Sequence, residues 1–143
     1  MKPVIQKEKT GCGIASVATL VGVDYDSAKT KANRLGIFAE DPKLWFDTKY
    51  VRTLLRKFGV SVSKKEWKFV SWEKLPTFAL LAVKWNLEKD KPFWHWVVFV
   101  REKGSAYVLD SNKTLQKNKR TDFGRMKPKW FIKVTKSEGR VLN

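Results

Sequence analysis

Two residue types that can do nucleophilic or acid–base chemistry near neutral pH occur once each in this chain, Cys12 and His95. A thiol attacks an acyl carbon effectively only after losing its proton to a base, and the base needs a third group to hold its ring. Asp110 follows His95 by 15 positions and closes the next apolar run, Tyr107-Val108-Leu109. Each residue alone has a plainer explanation. Most single cysteines are buried small hydrophobes. A histidine in a bulky apolar strand is commonly a satisfied core residue, and Asp110-Ser111-Asn112 reads as a turn. Together they offer a nucleophile, a base and an orienting carboxylate, the set required for acyl transfer.

The element that must position Cys12 is a helix. From Gly11 to Val23 no residue is charged, although 31% of the chain is. Ile14, Val17, Ala18 and Val21 follow the spacing of one helical face, and the other faces carry Ala15, Ser16, Thr19 and Leu20. A helix with no charged face is buried on most sides. Cys12 falls in its first turn, where free backbone N–H groups and the positive dipole end favour a thiolate. Gly11 and Gly13 beside it are expected to leave room for another molecule's backbone.

His95 and Asp110 must come from strands. Phe93–Val100 is bulky or β-branched apart from His95 and reads as an inner strand. Glu102-Lys103-Gly104 signals a hairpin turn, and 106–110 is the returning strand. A turn pairing Arg101 with Gly104 would set His95 directly opposite Asp110. In a regular strand Trp94 and Trp96 project away from His95 and belong to the core. The tryptophans at 67, 72, 85 and 130 read as core or cleft wall. The remaining elements are helices over 25–35, with N-cap residues offered by Val23-Asp24-Tyr25-Asp26-Ser27, and 48–58, which Asp47-Thr48 can cap. Strands follow over 60–65, 78–85 and 130–135, with a small turn or helix at 71–73 and a polar loop over 86–92. Helices first and mostly antiparallel strands after predict an α+β domain, with a central helix packed on the sheet and one domain spanning 1–143.

The motif Gln6, five residues, then Cys12-Gly13-Ile14-Ala15 resembles the start of the papain-like peptidases that remove double-glycine leaders from bacteriocins. His95-Trp96-Val97-Val98 and Tyr107-Val108-Leu109-Asp110 resemble that family's histidine and aspartate strands in type and spacing. The resemblance implies a papain-like fold and a Cys12–His95–Asp110 triad. It also implies that Gln6, with the Cys12 backbone N–H, stabilises the oxyanion. Ser111 stands where the family commonly has proline, and its frequent fusion to a transporter has no counterpart here.

Composition bounds the rest. The 143 residues include seven tryptophans and 43% hydrophobic residues, enough for one substantial core. One cysteine excludes an intrachain disulfide. The first residues lack the apolar segment of a signal peptide, and no apolar run approaches a membrane span. The expectation is a soluble, cytoplasmic protein, with signal-independent export left open. The formal charge of +16 favours anionic partners, and residues 113–143 carry ten Lys or Arg against two acids. One Cys and one His leave a zinc site without its usual ligands, and no glycine-rich phosphate loop is present, so no cofactor is expected. The function read from these features is a cysteine hydrolase acting on peptide or protein, including acidic ones. A transamidase, deamidase or acyltransferase could use the same residues. An inactive basic module binding nucleic acid or an acidic protein is the reading from another class. For the hydrolase, nucleic-acid binding is expected to be weak and non-specific.

Overall fold

A computed structural model describes residues 1–135. The end of the basic stretch, 136–143, lies outside the described residues. Among the described residues three α-helices come first: α1 (Cys12–Val21), α2 (Tyr25–Arg34) and α3 (Lys49–Lys57). Seven strands follow: β1 (Ser61–Val62), β2 (Trp67–Lys68), β3 (Phe78–Glu88), β4 (Lys91–Glu102), β5 (Ser105–Leu109), β6 (Lys119–Arg120) and β7 (Trp130–Thr135). They form one antiparallel sheet in the order β1-β7-β3-β4-β5-β6, with β2 also paired to β7. This is the α+β architecture expected.

Every residue of α1 is buried, as its lack of charge predicts. Its polar side chains are spent internally. Thr19 Oγ1 donates to the Ala15 carbonyl at 3.0 Å and accepts from the Val4 N–H at 3.0 Å, which docks the lead-in against the helix. The helices cover one face of the sheet, over Leu80, Ala82, Trp96, Val98, Val100 and Leu109. The opposite face, with Ala79, Leu81, Val97, Phe99 and Val108, is closed by Leu75, Met126 and the Phe69–Trp72–Phe123 aromatic group. Burial on both faces is why β3 and β4 read as continuous apolar runs. Trp94 and Trp96 belong to the helix-side core, as alternation predicts.

The helix limits follow local chemistry. The Asp24 carboxylate accepts from the Ser27 N–H at 2.7 Å and caps α2. Asp47 accepts from the Lys49 N–H at 2.7 Å at the start of α3. Gly59, just past α3, takes φ 82°, a left-handed stop that favours glycine.

Trp67 is 44% exposed, with the Lys133 ammonium over its ring, rather than core or cleft wall, and three expectations about the strands also need correction. Residues 86–92 are not a loop: β3 and β4 continue through them and turn at Lys89-Asp90, with φ 52° and 67°. This end of the hairpin projects into solvent, so it lacks the apolar alternation that marks a strand. Its turn also lacks the Asn or Gly that announces such φ values. The strand expected over 60–65 shortens to Ser61–Val62, and β2 and β6 were not anticipated because a two-residue strand carries no periodicity. The β4–β5 register is also displaced. Glu102, not Arg101, closes the two-residue turn, pairing with Ser105. Continued along the strands, this sets Asp110 opposite Val97 and diagonal to His95. A shift of two preserves the face, so the two side chains stay within reach.

Candidate active site

Cys12 is the first residue of α1, buried, with Sγ 3.5 Å from the Trp96 backbone N–H of β4. The helix therefore ends against the strand that carries His95. Gly11 and Gly13 do not leave room for another molecule, contrary to expectation. A Cβ on Gly11 would lie 2.3 Å from the Tyr25 hydroxyl, and one on Gly13 would lie 2.0 Å from the Tyr50 hydroxyl. Two tyrosines of the same chain, from α2 and α3, fill those spaces and fix the helix start.

His95 stands near the outer part of β4, 16% exposed at its side chain. Its Nε2 lies 2.7 Å from Asp110 Oδ1. Burial works against the imidazolium. Hydrogen bonds to Asp110 and Cys12, and the charges of both, overcome that and raise the imidazole pKa to about 9. Because Nε2 is engaged by Asp110, Nδ1 is the nitrogen left for the thiol. The ring is held by a carboxylate on one side and shares a depression with Cys12, the arrangement expected of a base with its orienting group.

Asp110 follows β5 directly and is fully buried. Burial opposes its charge, but His95, the Asn112 N–H at 3.0 Å and Arg120 hold its pKa down to about 2. Arg120 was not anticipated. Strand β6 pairs Arg120 with Val108, diagonal to Asp110, and its Nη1 donates to Oδ2 at 2.9 Å. The guanidinium is itself held by Asp122, at 2.9 and 2.7 Å. Asp110 thus sits between His95 on one side and Arg120 on the other, ionised and with both oxygens engaged. No motif marks Arg120; only the pairing of a two-residue strand brings it there.

Gln6 is brought to the same end of the sheet by Ser111. The Gln6 N–H donates to the Ser111 carbonyl at 3.0 Å, and the Ser111 hydroxyl donates to Gln6 Oε1 at 2.8 Å. The Gln6 amide nitrogen donates to the Glu8 and Lys9 carbonyls at 2.9 and 3.2 Å. Glu8 in turn accepts from the Tyr25 hydroxyl and pairs with Lys29 at 2.6 Å, tying this turn to α2. The structure therefore brings His95 and Asp110 into hydrogen-bond contact and sets Cys12 in the same depression as His95. It sets Gln6 nearby with its amide hydrogens turned toward the backbone of its own loop.

Two adjoining depressions meet at His95. One, about 270 Å³, is lined by Cys12, Trp45, Phe93 and Trp94. The other, about 460 Å³, is lined by Gln6, Trp45, Asn112 and Thr114. Trp45, in a short 3-10 turn over 42–45, borders both and packs edge-on against Phe93 at 5.6 Å. Sequence reading missed it; its only signal was a tryptophan in a connector after Asp41-Pro42. A larger cavity, about 620 Å³, lies at Met1, Val4, Val21 and Phe78 and touches none of the candidate catalytic residues. Among the described residues, no group of three His, Cys, Asp or Glu side chains could hold a metal ion.

A search of solved structures found this architecture in a crystal structure of a double glycine motif protease from an AMS/PCAT transporter in complex with the leader peptide. The fold is papain-like. The match has a TM-score of 0.59 and covers 94% of this chain and 91% of that one, at 20% identity. No protein-family model and no curated protein matches the sequence. Among the described residues, no helix of this papain-like chain is long and apolar enough to cross a membrane.

Proposed function

We propose that the chain is a cysteine peptidase. The observation that carries this is His95 Nε2 lying 2.7 Å from a fully buried, ionised Asp110, with Cys12 and His95, the chain's only cysteine and only histidine, lining one depression of a papain-like fold. The Cys12 proton passes to His95 Nδ1, and the thiolate attacks the carbonyl carbon of a peptide bond. Asp110 keeps the ring oriented through Nε2. As the tetrahedral intermediate collapses, the imidazolium gives its proton to the departing amine and Cys12 keeps the acyl group as a thioester. Water, deprotonated by His95, then releases the acid and restores the thiol.

The oxyanion is stabilised by the Cys12 N–H, which as a first-turn donor has no partner within the helix, and by Gln6. For Gln6 to serve, one amide hydrogen must leave the Glu8 or Lys9 carbonyl, a movement within one flexible side chain. The substrate is a peptide segment, and double-glycine sequences are the first to test, since the neighbouring structure holds a leader peptide. We read residues 1–143 as one domain that works without a cofactor.

The test is to incubate the wild type and Cys12→Ala with a proteome-derived peptide library and to compare new termini by mass spectrometry. New termini confined to the wild type are expected. Identical products from both proteins would remove the peptidase assignment.

A further inference from the structure

The hairpin that walls the cleft contains an irregularity beside His95. β3 and β4 pair Val83 with His95, but the next pair is Asn86 with Phe93, so Lys84 and Trp85 together oppose Trp94. Such a bulge bends the strand and re-aims a side chain. Lys84 takes φ 55°, the left-handed region that disfavours any residue with a Cβ. Glycine would hold this bulge with less strain, yet the position carries a lysine, and that lysine lines the depression containing Cys12. Lys9 lines both depressions, and Lys113 lines the second, where Asp110 and Asn112 shape its turn.

The charges around this groove are unequal. Lys9, Lys84 and Lys113 form no ion pair with the described residues. Lys7 is paired with Asp26, and Glu8 with Lys29. Among the described residues, Glu88 is the one unpaired carboxylate lining either depression. Three unpaired cations, spread over the two depressions that meet at His95, are set against one anion.

We propose that the groove selects an acidic peptide, held across Cys12 by Lys9, Lys84 and Lys113, with Lys84 aimed by the bulge at a carboxylate in the half that becomes the thioester. The proposal rests on the peptidase reading for which half is which. The acyl half stays with Cys12, so it occupies the depression that Cys12 lines. The leaving half then crosses the depression lined by Lys113. The affinity for acidic residues itself stands apart from catalysis and is measurable without it.

The probes are fluorescein-labelled nonapeptides with three central glycines, flanked on both sides by Glu, by Gln or by Lys. Binding to Cys12→Ala is read by fluorescence anisotropy. The Glu peptide is expected to bind about tenfold more tightly than the Gln peptide, with the advantage shrinking as salt rises. Each of Lys9→Gln, Lys84→Gln and Lys113→Gln should weaken the Glu peptide about two- to fivefold, the range of exposed ion pairs. Lys103→Gln, in the turn between β4 and β5, should not. Lys84→Gly should raise thermal stability while lowering affinity, because it relieves the backbone and removes the charge. Equal affinity for Glu and Gln peptides, or a loss in Lys103→Gln matching that in Lys84→Gln, overturns the proposal. So does equally tight binding of single-stranded DNA to the same lysines. Cleavage by the wild type without preference for Glu over Gln removes this proposal and keeps the peptidase. Acid-selective binding with no cleavage of any peptide does the reverse.

Discussion

Replacing Asp110 with asparagine should move the titration of His95. In the wild type Asp110 accepts a 2.7 Å hydrogen bond from the imidazole in a buried setting, and Cys12 contributes from the other side. Together they raise the imidazole pKa from 6.5 to about 9, which corresponds to about 3 kcal/mol favouring the imidazolium in the folded protein. A raised histidine stabilises the fold fully below the unfolded value of 6.5, and that contribution is lost as pH rises through about 9. The replacement amide could still hydrogen-bond but would bring no charge, and Arg120 would lose one anionic partner while keeping Asp122. The His95 midpoint should therefore fall in Asp110→Asn, and the decline in stability between about pH 7 and 9 should flatten. The chain has one histidine, so a ring-labelled sample gives a single unambiguous NMR titration. Chemical denaturation across the same pH range supplies the stability arm. If His95 titrates near 6.5 in both proteins and stability is flat from about pH 6 to 9, the coupling described between His95 and Asp110 does not exist.

Gly13→Ala should destabilise the protein by about 1–3 kcal/mol in urea, because the new methyl must displace the Tyr50 ring. Tyr50→Phe should recover only part of that loss, since the ring carbons behind the hydroxyl also crowd the position. Trp96→Ala, at a fully buried side chain under the helices, should cost about 3–5 kcal/mol; a loss below about 1 kcal/mol would contradict the described core. Ser111→Ala removes the bond to Gln6 Oε1 and should lower catalytic turnover more than it lowers stability, a loss of about 1 kcal/mol. Equal losses in turnover and in folded fraction would make Ser111 a purely structural contact.

How much of this was legible in sequence depends on the kind of signal. α1 was readable because thirteen uncharged residues in a chain this charged leave few alternatives to burial. The His95–Asp110 meeting was readable because a register error of two residues leaves side chains on the same face; an error of one would have lost it. The hairpin over 84–94 was not readable. Its outer residues are polar, its turn uses Lys-Asp, and its bulge is set by pairing rather than by any local preference. Arg120 and Ser111 were hidden for a related reason. Arg120 reaches Asp110, ten positions away, only through strand pairing, Ser111 meets Gln6 across 105 positions, and nothing in the type or neighbours of either residue announces it. The glycines beside Cys12 suggest open space in sequence, and only the fold shows that Tyr25 and Tyr50 occupy it.

The claim that Cys12 is an activated nucleophile is tested most directly by its alkylation. With one cysteine in the chain, intact mass reports a single site. Iodoacetamide should modify Cys12 faster than it modifies glutathione below about pH 7, because a protonated His95 ring lines the same depression. His95→Ala should remove most of that advantage at low pH while leaving the alkaline rate nearly unchanged. Labelling of the wild type no faster than glutathione, and no different in His95→Ala, would contradict the account at its centre.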